Sequence, residues 1–190
     1  MATHIFHQEK DVFYFCTLTC FKWINLFEIT QFYDGIYNWF GILHENHCWL
    51  SSYVIMPNHL HIIIYVSDQS RSLNTLFANG KRFMAYEIVE RLRSAGESSL
   101  LHFLEKTVSY SESRKNDRHK IFIPSFDAKL CDTIEMIEQK LDYIHYNPVN
   151  RNWNLANSYL EYPYSSAAYY ENGAPINFTW FKDYRDILYE

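Results

Sequence analysis

Residues 48–66, CWLSSYVIMPNHLHIIIYV, form the stretch of sequence that decides the fold. The segments 48–56 and 59–66 are rich in β-branched and aromatic side chains, which favour strands. Pro57 and Asn58 separate the two segments, and a connection this short joins antiparallel neighbours. The stretch therefore predicts a β-hairpin.

The segments around this hairpin predict the other elements of an α+β fold. Residues 11–21, DVFYFCTLTCF, have the composition of a strand, and residues 121–126 predict a further short strand. Apolar side chains at helical spacing predict three helices, over residues 30–46, residues 72–92 and from 132 to 146 or 147. The order of strand, helix, hairpin, helix and strand predicts an antiparallel sheet packed against helices.

The composition is that of a folded domain. The chain has 190 residues, of which 48% are hydrophobic and 21% are charged, and this excludes a disordered tail. We expect a single domain over residues 1–190, with a core at about 10–150 and a C-terminal tail at 150–190. The formal net charge of -5 excludes a chain that is basic overall, although a local basic patch remains compatible with it.

The cysteines and the N-terminal residues bear on the cellular compartment of the protein. The four cysteines include no C-x-x-C pair, so they predict neither a zinc ribbon nor a disulfide framework. Residues 1–11 contain no apolar segment of the kind that signal peptides have, and no apolar stretch reaches the length of a membrane span. We therefore expect a cytoplasmic protein that does not bind a membrane.

His59, Leu60 and His61 form the first group of residues that could carry chemistry. On a strand, residues i and i+2 point to the same face, so the two imidazoles project together. Two histidines on one face are half of a site for a divalent metal ion. The same spacing also fits two partly buried histidines without a metal, and spacing alone leaves both interpretations open.

The predicted helix from Asp132 carries the second group, which is a row along one face. Tyr143 and Asn147 are four residues apart, and Lys140 and Met136 continue the row. A phenol, an amide and an ammonium in such a row could supply a nucleophile, a metal ligand and a phosphate contact. An ordinary amphipathic helix, capped by Asn147, would show the same row.

Taken together, these segments resemble the HUH single-tyrosine transposases, especially the REP-associated tyrosine transposases. The resemblance covers about residues 10–170 and rests on three motifs, MPNHLH at 56–61, LDYIHYNPV at 141–149 and YPYSS at 162–166. Three separated motifs in the right order are more specific than a pair of histidines alone. The resemblance implies one transposase-like domain with a palm-type, ferredoxin-like antiparallel sheet and helices packed on one face.

The resemblance also implies roles for individual residues. His59 and His61 would bind Mg²⁺ or Mn²⁺, with Asn147 as the third ligand, and Tyr143 would be the nucleophile. The substrate would be single-stranded DNA near a hairpin, cleaved to leave a 5′-phosphotyrosine and a free 3′-OH. A phenol is mostly protonated at neutral pH, so it needs a phosphate that a bound metal ion has made more electrophilic. Because one phosphodiester replaces another, the step needs no ATP and can be reversed into joining.

Binding DNA requires local positive charge, and the sequence offers several candidates. The principal candidates are Lys81, Arg82, Lys140 and Arg151, and further ones are Arg114, Lys115 and Arg118. Each of them could equally be a solvated surface charge. The expected partner is single-stranded or hairpin DNA, and the expected state is a monomer or a homodimer.

Two other functions remain open from the sequence. One is a domesticated relative that binds a DNA hairpin without cutting it. The other is a metal phosphohydrolase that uses His59 and His61 on a small substrate. The two enzyme hypotheses differ in Tyr143, because its loss would matter little to a phosphohydrolase.

Overall fold

The computed structural model describes residues 7, 9–108, 119–124 and 126–189. The strands are β1 (Val12–Thr19), β2 (Cys48–Ile55), β3 (His59–Val66) and β4 (Asp127–Cys131). The helices are α1 (Leu26–Ile29), α2 (Tyr33–Glu45), α3 (Leu73–Ser94), α4 (Ser98–Lys106), α5 (Ile134–Tyr146), α6 (Ala167–Asn172) and α7 (Tyr184–Leu188). Short 3-10 helices lie at Phe21–Trp23, Asn147–Val149 and Tyr159–Glu161. Within the described ranges, no helix is both long and apolar enough to cross a bilayer.

The four strands form one antiparallel sheet in the order β2-β3-β1-β4. Helix α2 connects β1 to β2, and α3 and α4 lie between β3 and β4. This is the βαββαβ arrangement of ferredoxin-like folds. The predicted α+β class, the antiparallel sheet and the hairpin of β2 and β3 are therefore confirmed.

The larger core lies on the face of the sheet that packs on α2 and α3. Alternate side chains point to it, such as Cys16 and Leu18 of β1 and Leu60 and Ile62 of β3. Both crossover helices lie on this one face, as the resemblance implies.

The opposite face is also covered by a helix, and here the structure differs from the expectation. Phe13 and Phe15 of β1 pack with Ile137 and Leu141 of α5. Strand β3 is buried at every position but Tyr65, so side chains on both of its faces need partners. Its nearly continuous apolar run is typical of a strand covered on both faces. Helix α5, which follows β4, supplies the second cover.

The fourth strand lies later in the chain than the sequence predicts. The described part of the predicted segment, residues 121–124 and 126, is not a strand, although Phe122 makes an isolated bridge with Cys20. On the side away from β3, β1 pairs with β4, whose sequence DAKLC alternates between exposed and partly covered positions before the buried Cys131. An edge strand of this kind has little apolar signal, which is why composition favoured the wrong segment.

The C-terminal tail packs along the free edge of β2. Ser165 makes an antiparallel bridge with Val54, and Phe181 makes a parallel bridge with Leu50. The side chain of Trp180 belongs to the core on the α2 and α3 face, whereas those of Tyr162 and Tyr184 belong to the core under α5. The tail therefore contributes to both cores.

Candidate active site

Strand β3 holds the two histidines of the MPNHLH motif side by side. The centroids of the His59 and His61 rings are 4.7 Å apart, and the two residues are only 2% and 5% exposed. His61 stacks on Phe15 at 5.4 Å, so the pair lies on the face of the sheet that α5 covers. The expected common direction of residues i and i+2 is therefore present.

Burial keeps both imidazoles neutral at pH 7. It lowers the pKa of His59 to about 4, and the nearby Asn147 side chain opposes this shift only in part. Burial, together with the neighbouring His59, lowers the pKa of His61 to about 3. The neutral imidazole is the form that binds a metal ion.

Polar neighbours hold the Nδ1 atom of each ring. Asn58 donates through Nδ2 to the carbonyl of Trp23 at 2.7 Å, and its Oδ1 lies 2.8 Å from Nδ1 of His59. Since an amide oxygen can only accept, Nδ1 of His59 is the donor. Nδ1 of His61 lies 2.9 Å from Oγ1 of Thr17, its cross-strand neighbour. Partners of this kind orient metal-binding histidines, and here they leave Nε2 for a ligand.

Helix α5 adds a phenol and an amide to the histidine pair. The ring of Tyr143 is half-exposed and lies 5.1 Å from the ring of His61 and 5.8 Å from that of Phe15. Asn147, one turn later at the C-cap, is buried close to His59. Its Oδ1 atom has no hydrogen-bond partner among the residues that the structure describes. The four-residue spacing thus gives one exposed phenol and one buried, unpaired acceptor.

This set of donors fits a divalent cation. The two neutral imidazoles and the Asn147 oxygen can each donate an electron pair, and a bound cation would satisfy an acceptor whose burial is otherwise costly. Within the described ranges, no group of three or more His, Cys, Asp and Glu side chains is close enough to hold a metal ion. A metal site at His59 and His61 therefore depends on the amide of Asn147.

Two of the predicted DNA-binding cations belong to the region of α5. Lys140 lies one turn before Tyr143, and its Nζ is 5.2 Å from the centroid of Phe15. Because Phe15 also contacts Tyr143 and His61, Lys140 adjoins the cluster. Arg151 is exposed in the turn after the 3-10 helix Asn147–Val149.

The two predicted cations on α3 are not brought to the cluster. Lys81 and Arg82 lie on α3, which packs on the opposite face of the sheet. Lys81 donates hydrogen bonds to the carbonyls of Ile123 and Pro124, and burial lowers its pKa to about 8. The remaining candidates, Arg114, Lys115 and Arg118, lie outside the described residues.

The third motif, YPYSS, fastens the tail and α5 to strand β2. Oγ of Ser166 lies 3.0 Å from Nε2 of His145 and 3.0 Å from Oγ of Ser52. Tyr162 donates to the carbonyl of Ile55 at 2.8 Å. His145 is buried in this network, and its Nε2 contacts both serines.

Sequence reasoning missed the residues that surround His59 and His61. Trp23 and Trp153 flank His59, with ring centroids at 5.2 and 5.3 Å. Of these neighbours, only Asn58 could have been identified from the sequence, because it lies next to His59 within the MPNHLH motif. The two tryptophans and Thr17 come from distant parts of the chain, so no local pattern pointed to them.

The fold has a counterpart among solved structures. It is similar to that of a REP-associated tyrosine transposase bound to a REP hairpin, with a TM-score of 0.62, 14% sequence identity and coverage of 96% of this chain and 98% of that one. A proposed transposase from Deinococcus radiodurans R1 aligns over 76% of this chain and 95% of its own, with 14% identity and a TM-score of 0.37. Comparisons with models of protein families and with curated proteins gave no match. The first likeness confirms the fold that the sequence resemblance implies.

Proposed function

We propose that this protein is a metal-dependent transesterase of the REP-associated tyrosine type, which cleaves and rejoins single-stranded DNA at a hairpin. The observation that carries the proposal is the position of Tyr143, whose half-exposed ring lies 5.1 Å from that of His61. His59 and the unpaired oxygen of Asn147 complete a set of metal donors beside it. The likeness to a transposase solved with a REP hairpin supports hairpin DNA as the substrate.

Tyr143 would act as the nucleophile in a transesterification. Its phenol oxygen attacks the phosphorus of a phosphodiester, so a bond from oxygen to phosphorus forms while the bond from phosphorus to O3′ breaks. The phenol proton is released, and the departing 3′ oxygen takes up a proton to become a free 3′-OH. The 5′ end remains on the protein as a phosphotyrosine, and attack by a 3′-OH on this ester restores a phosphodiester.

The surrounding residues would hold and polarise the scissile phosphate. A divalent cation bound by His59, His61 and Asn147 would make the phosphorus more electrophilic. Lys140, one turn before Tyr143, would contact a phosphate oxygen through its ammonium group. Because Tyr143 is on a helix that is packed on the sheet, its phenol is held near the site rather than carried on a free loop.

The test is a denaturing gel that detects covalent protein–DNA adducts. The protein is mixed with labelled hairpin DNA from sequences that flank its own gene, with Mn²⁺ or with EDTA. We expect a slowly migrating band of the adduct in Mn²⁺ but not in EDTA. Tyr143→Phe and His61→Ala should each abolish this band. The control is Tyr146→Phe, because Tyr146 is also half-exposed on α5 but packs on Tyr159 at 4.4 Å, and it should keep the band.

Other results of these assays would exclude Tyr143 as the nucleophile or favour one of the two alternative functions. A band that survives Tyr143→Phe would remove Tyr143 as the nucleophile. Binding on a native gel without any adduct, in each of several divalent metals, would identify a hairpin-binding module. Turnover of a generic phosphodiester that survives Tyr143→Phe would identify a phosphohydrolase.

A further inference from the structure

A large aromatic side chain lies half in solvent at the end of the histidine pair. Trp23 is 54% exposed, although its indole contacts the buried ring of His59 edge-on, at 5.2 Å and 67°. Trp153 contacts the same imidazole at 5.3 Å. Two tryptophans therefore flank His59, and Trp23 presents much of its surface to solvent.

The backbone that presents Trp23 is in an unusual conformation. Lys22 and Trp23 both have positive φ, at 51° and 59°. Bulky side chains rarely adopt this left-handed region, and each such residue costs of the order of 1 kcal/mol or more unless its surroundings hold it. Glycine would adopt it freely, so the backbone alone does not favour tryptophan at this position.

Asn58 couples the position of Trp23 to that of His59. Its Nδ2 donates to the carbonyl of Trp23 at 2.7 Å, and its Oδ1 accepts from Nδ1 of His59 at 2.8 Å. The amide of Trp23 donates to the carbonyl of Cys20 at 3.1 Å. The half-exposed indole is thus held at a fixed position relative to the imidazole.

Trp23 ends a row of rings that begins beside the nucleophile. The centroids of Phe15 and His61, of His61 and His59, and of His59 and Trp23 are 5.4, 4.7 and 5.2 Å apart. One end of this row carries a cation, because Lys140 lies over Phe15 at 5.2 Å. The ammonium of Lys22, which precedes Trp23 in the chain, is directed instead at the rings of Phe21 and Phe103.

We propose that Trp23 is the stacking platform for one unpaired nucleobase of the DNA strand, on a nucleotide close to the cleaved phosphodiester. This inference rests on the proposed function. A phosphate at His59 and His61 puts the adjoining bases within reach of the exposed indole, because the indole contacts the His59 ring. Stacking on an aromatic ring tolerates any base but requires that it be unpaired, so Trp23 selects single strand over duplex.

A double-mutant cycle, in which one change is a substitution in the protein and the other is an abasic site in the DNA, tests this stacking directly. Affinities are measured by fluorescence anisotropy in Mn²⁺ for Tyr143→Phe, which cannot form the adduct, and for the same variant with Trp23→Gly. The hairpins carry one abasic site, moved one nucleotide at a time through the single-stranded flank. We expect one abasic position to weaken binding about 5- to 150-fold when Trp23 is present and to have no effect with Trp23→Gly.

Two further variants separate stacking from a structural role. Trp23→Tyr keeps a ring and should retain most of the affinity and the abasic penalty at the same nucleotide. Tyr86→Ala removes a side chain that is 59% exposed on α3, on the other face of the sheet, and should leave the abasic pattern unchanged. Glycine suits the backbone at residue 23, so Trp23→Gly should fold, and thermal unfolding without DNA verifies this.

The outcomes distinguish this inference from the proposed function. If the wild-type protein forms the adduct but every abasic penalty persists with Trp23→Gly, the stacking role is overturned and the function stands. If the wild-type protein neither forms the adduct nor binds the hairpin, the proposed function fails and this inference fails with it.

Discussion

The two buried asparagines beside the histidine pair differ in how their side chains are paired. Asn58 donates to the carbonyl of Trp23 and to the side-chain oxygen of Asn25, and it accepts from His59. Asn147 has a buried Oδ1 that is unpaired within the part of the chain that the structure describes. A buried acceptor without a partner costs about 1–3 kcal/mol, which a ligand at that atom would offset.

Replacement of Asn147 should therefore affect the metal-bound protein more than the free one. We expect Asn147→Ala to change the free energy of unfolding in EDTA by less than about 1 kcal/mol, because the relief of an unpaired buried acceptor opposes the packing lost with the buried side chain. The same change should abolish most of the rise in melting temperature that Mn²⁺ gives the wild-type protein. Thermal unfolding with Mn²⁺ and with EDTA measures both effects.

Asn58→Ala is the matched control for this prediction. It leaves the N–H of His59 and the carbonyl of Trp23 without their partner, so it should cost about 2–3 kcal/mol in EDTA. A rise with Mn²⁺ as large in Asn147→Ala as in the wild-type protein would exclude Asn147 as a ligand.

At the scale of elements, a glycine sets how closely α2 and α3 approach. A Cβ atom at Gly80 of α3 would lie 2.2 Å from Nε1 of Trp39 in α2, which is far inside contact distance. A Cβ atom at Gly41, within α2, would meet no atom of the described residues within 4 Å. The two glycines are thus in similar helices but in opposite packing environments.

Alanine at these two positions should have effects of opposite sign. Gly80→Ala forces the helices apart or displaces the indole, so we expect the free energy of unfolding to fall by about 1–3 kcal/mol. Gly41→Ala adds helix propensity without a clash, and we expect a rise of about 0.5–1 kcal/mol. Urea denaturation measures both, and a neutral Gly80→Ala would show that α2 and α3 are less tightly packed than in this structure.

The sequence predicted the elements whose signal is local. The hairpin of β2 and β3 was predictable because long apolar runs meet at Pro57 and Asn58. Strand β4 was not, because an edge strand with exposed alternate residues has weak periodicity. The cover of both faces by helices was also missed, since it depends on where α5 packs after β4.

In the candidate site, too, some features were visible in the sequence and others depend on the fold. The spacing of His59 and His61 on a strand and of Tyr143 and Asn147 on a helix was visible in the sequence. That these two pairs meet is a property of the packing of α5 on the sheet, and the resemblance supplied it beforehand. Trp23 has no periodic partner, so only the fold brings it to His59.

On the scale of the whole molecule, an acidic chain must bind a polyanion through a few local cations. The net charge is -5, and several basic side chains are engaged in ion pairs away from the site. Arg91 pairs with Asp34 and Glu87, and Arg93 pairs with Glu90. Affinity for DNA should then depend on individual cations near the row of rings, such as Lys140, rather than on total charge.

The salt dependence of hairpin binding distinguishes local contact from total charge. Each phosphate contact on a single strand contributes about 0.7 to the slope of log K against log salt concentration. We expect Lys140→Gln to reduce the slope by about this amount, because Lys140 adjoins the row of rings. Arg82→Gln removes the same charge from α3, on the opposite face, and should leave the slope unchanged. Because both variants shift the net charge equally, an equal effect of Arg82→Gln would mean that DNA also crosses the α3 face of the sheet.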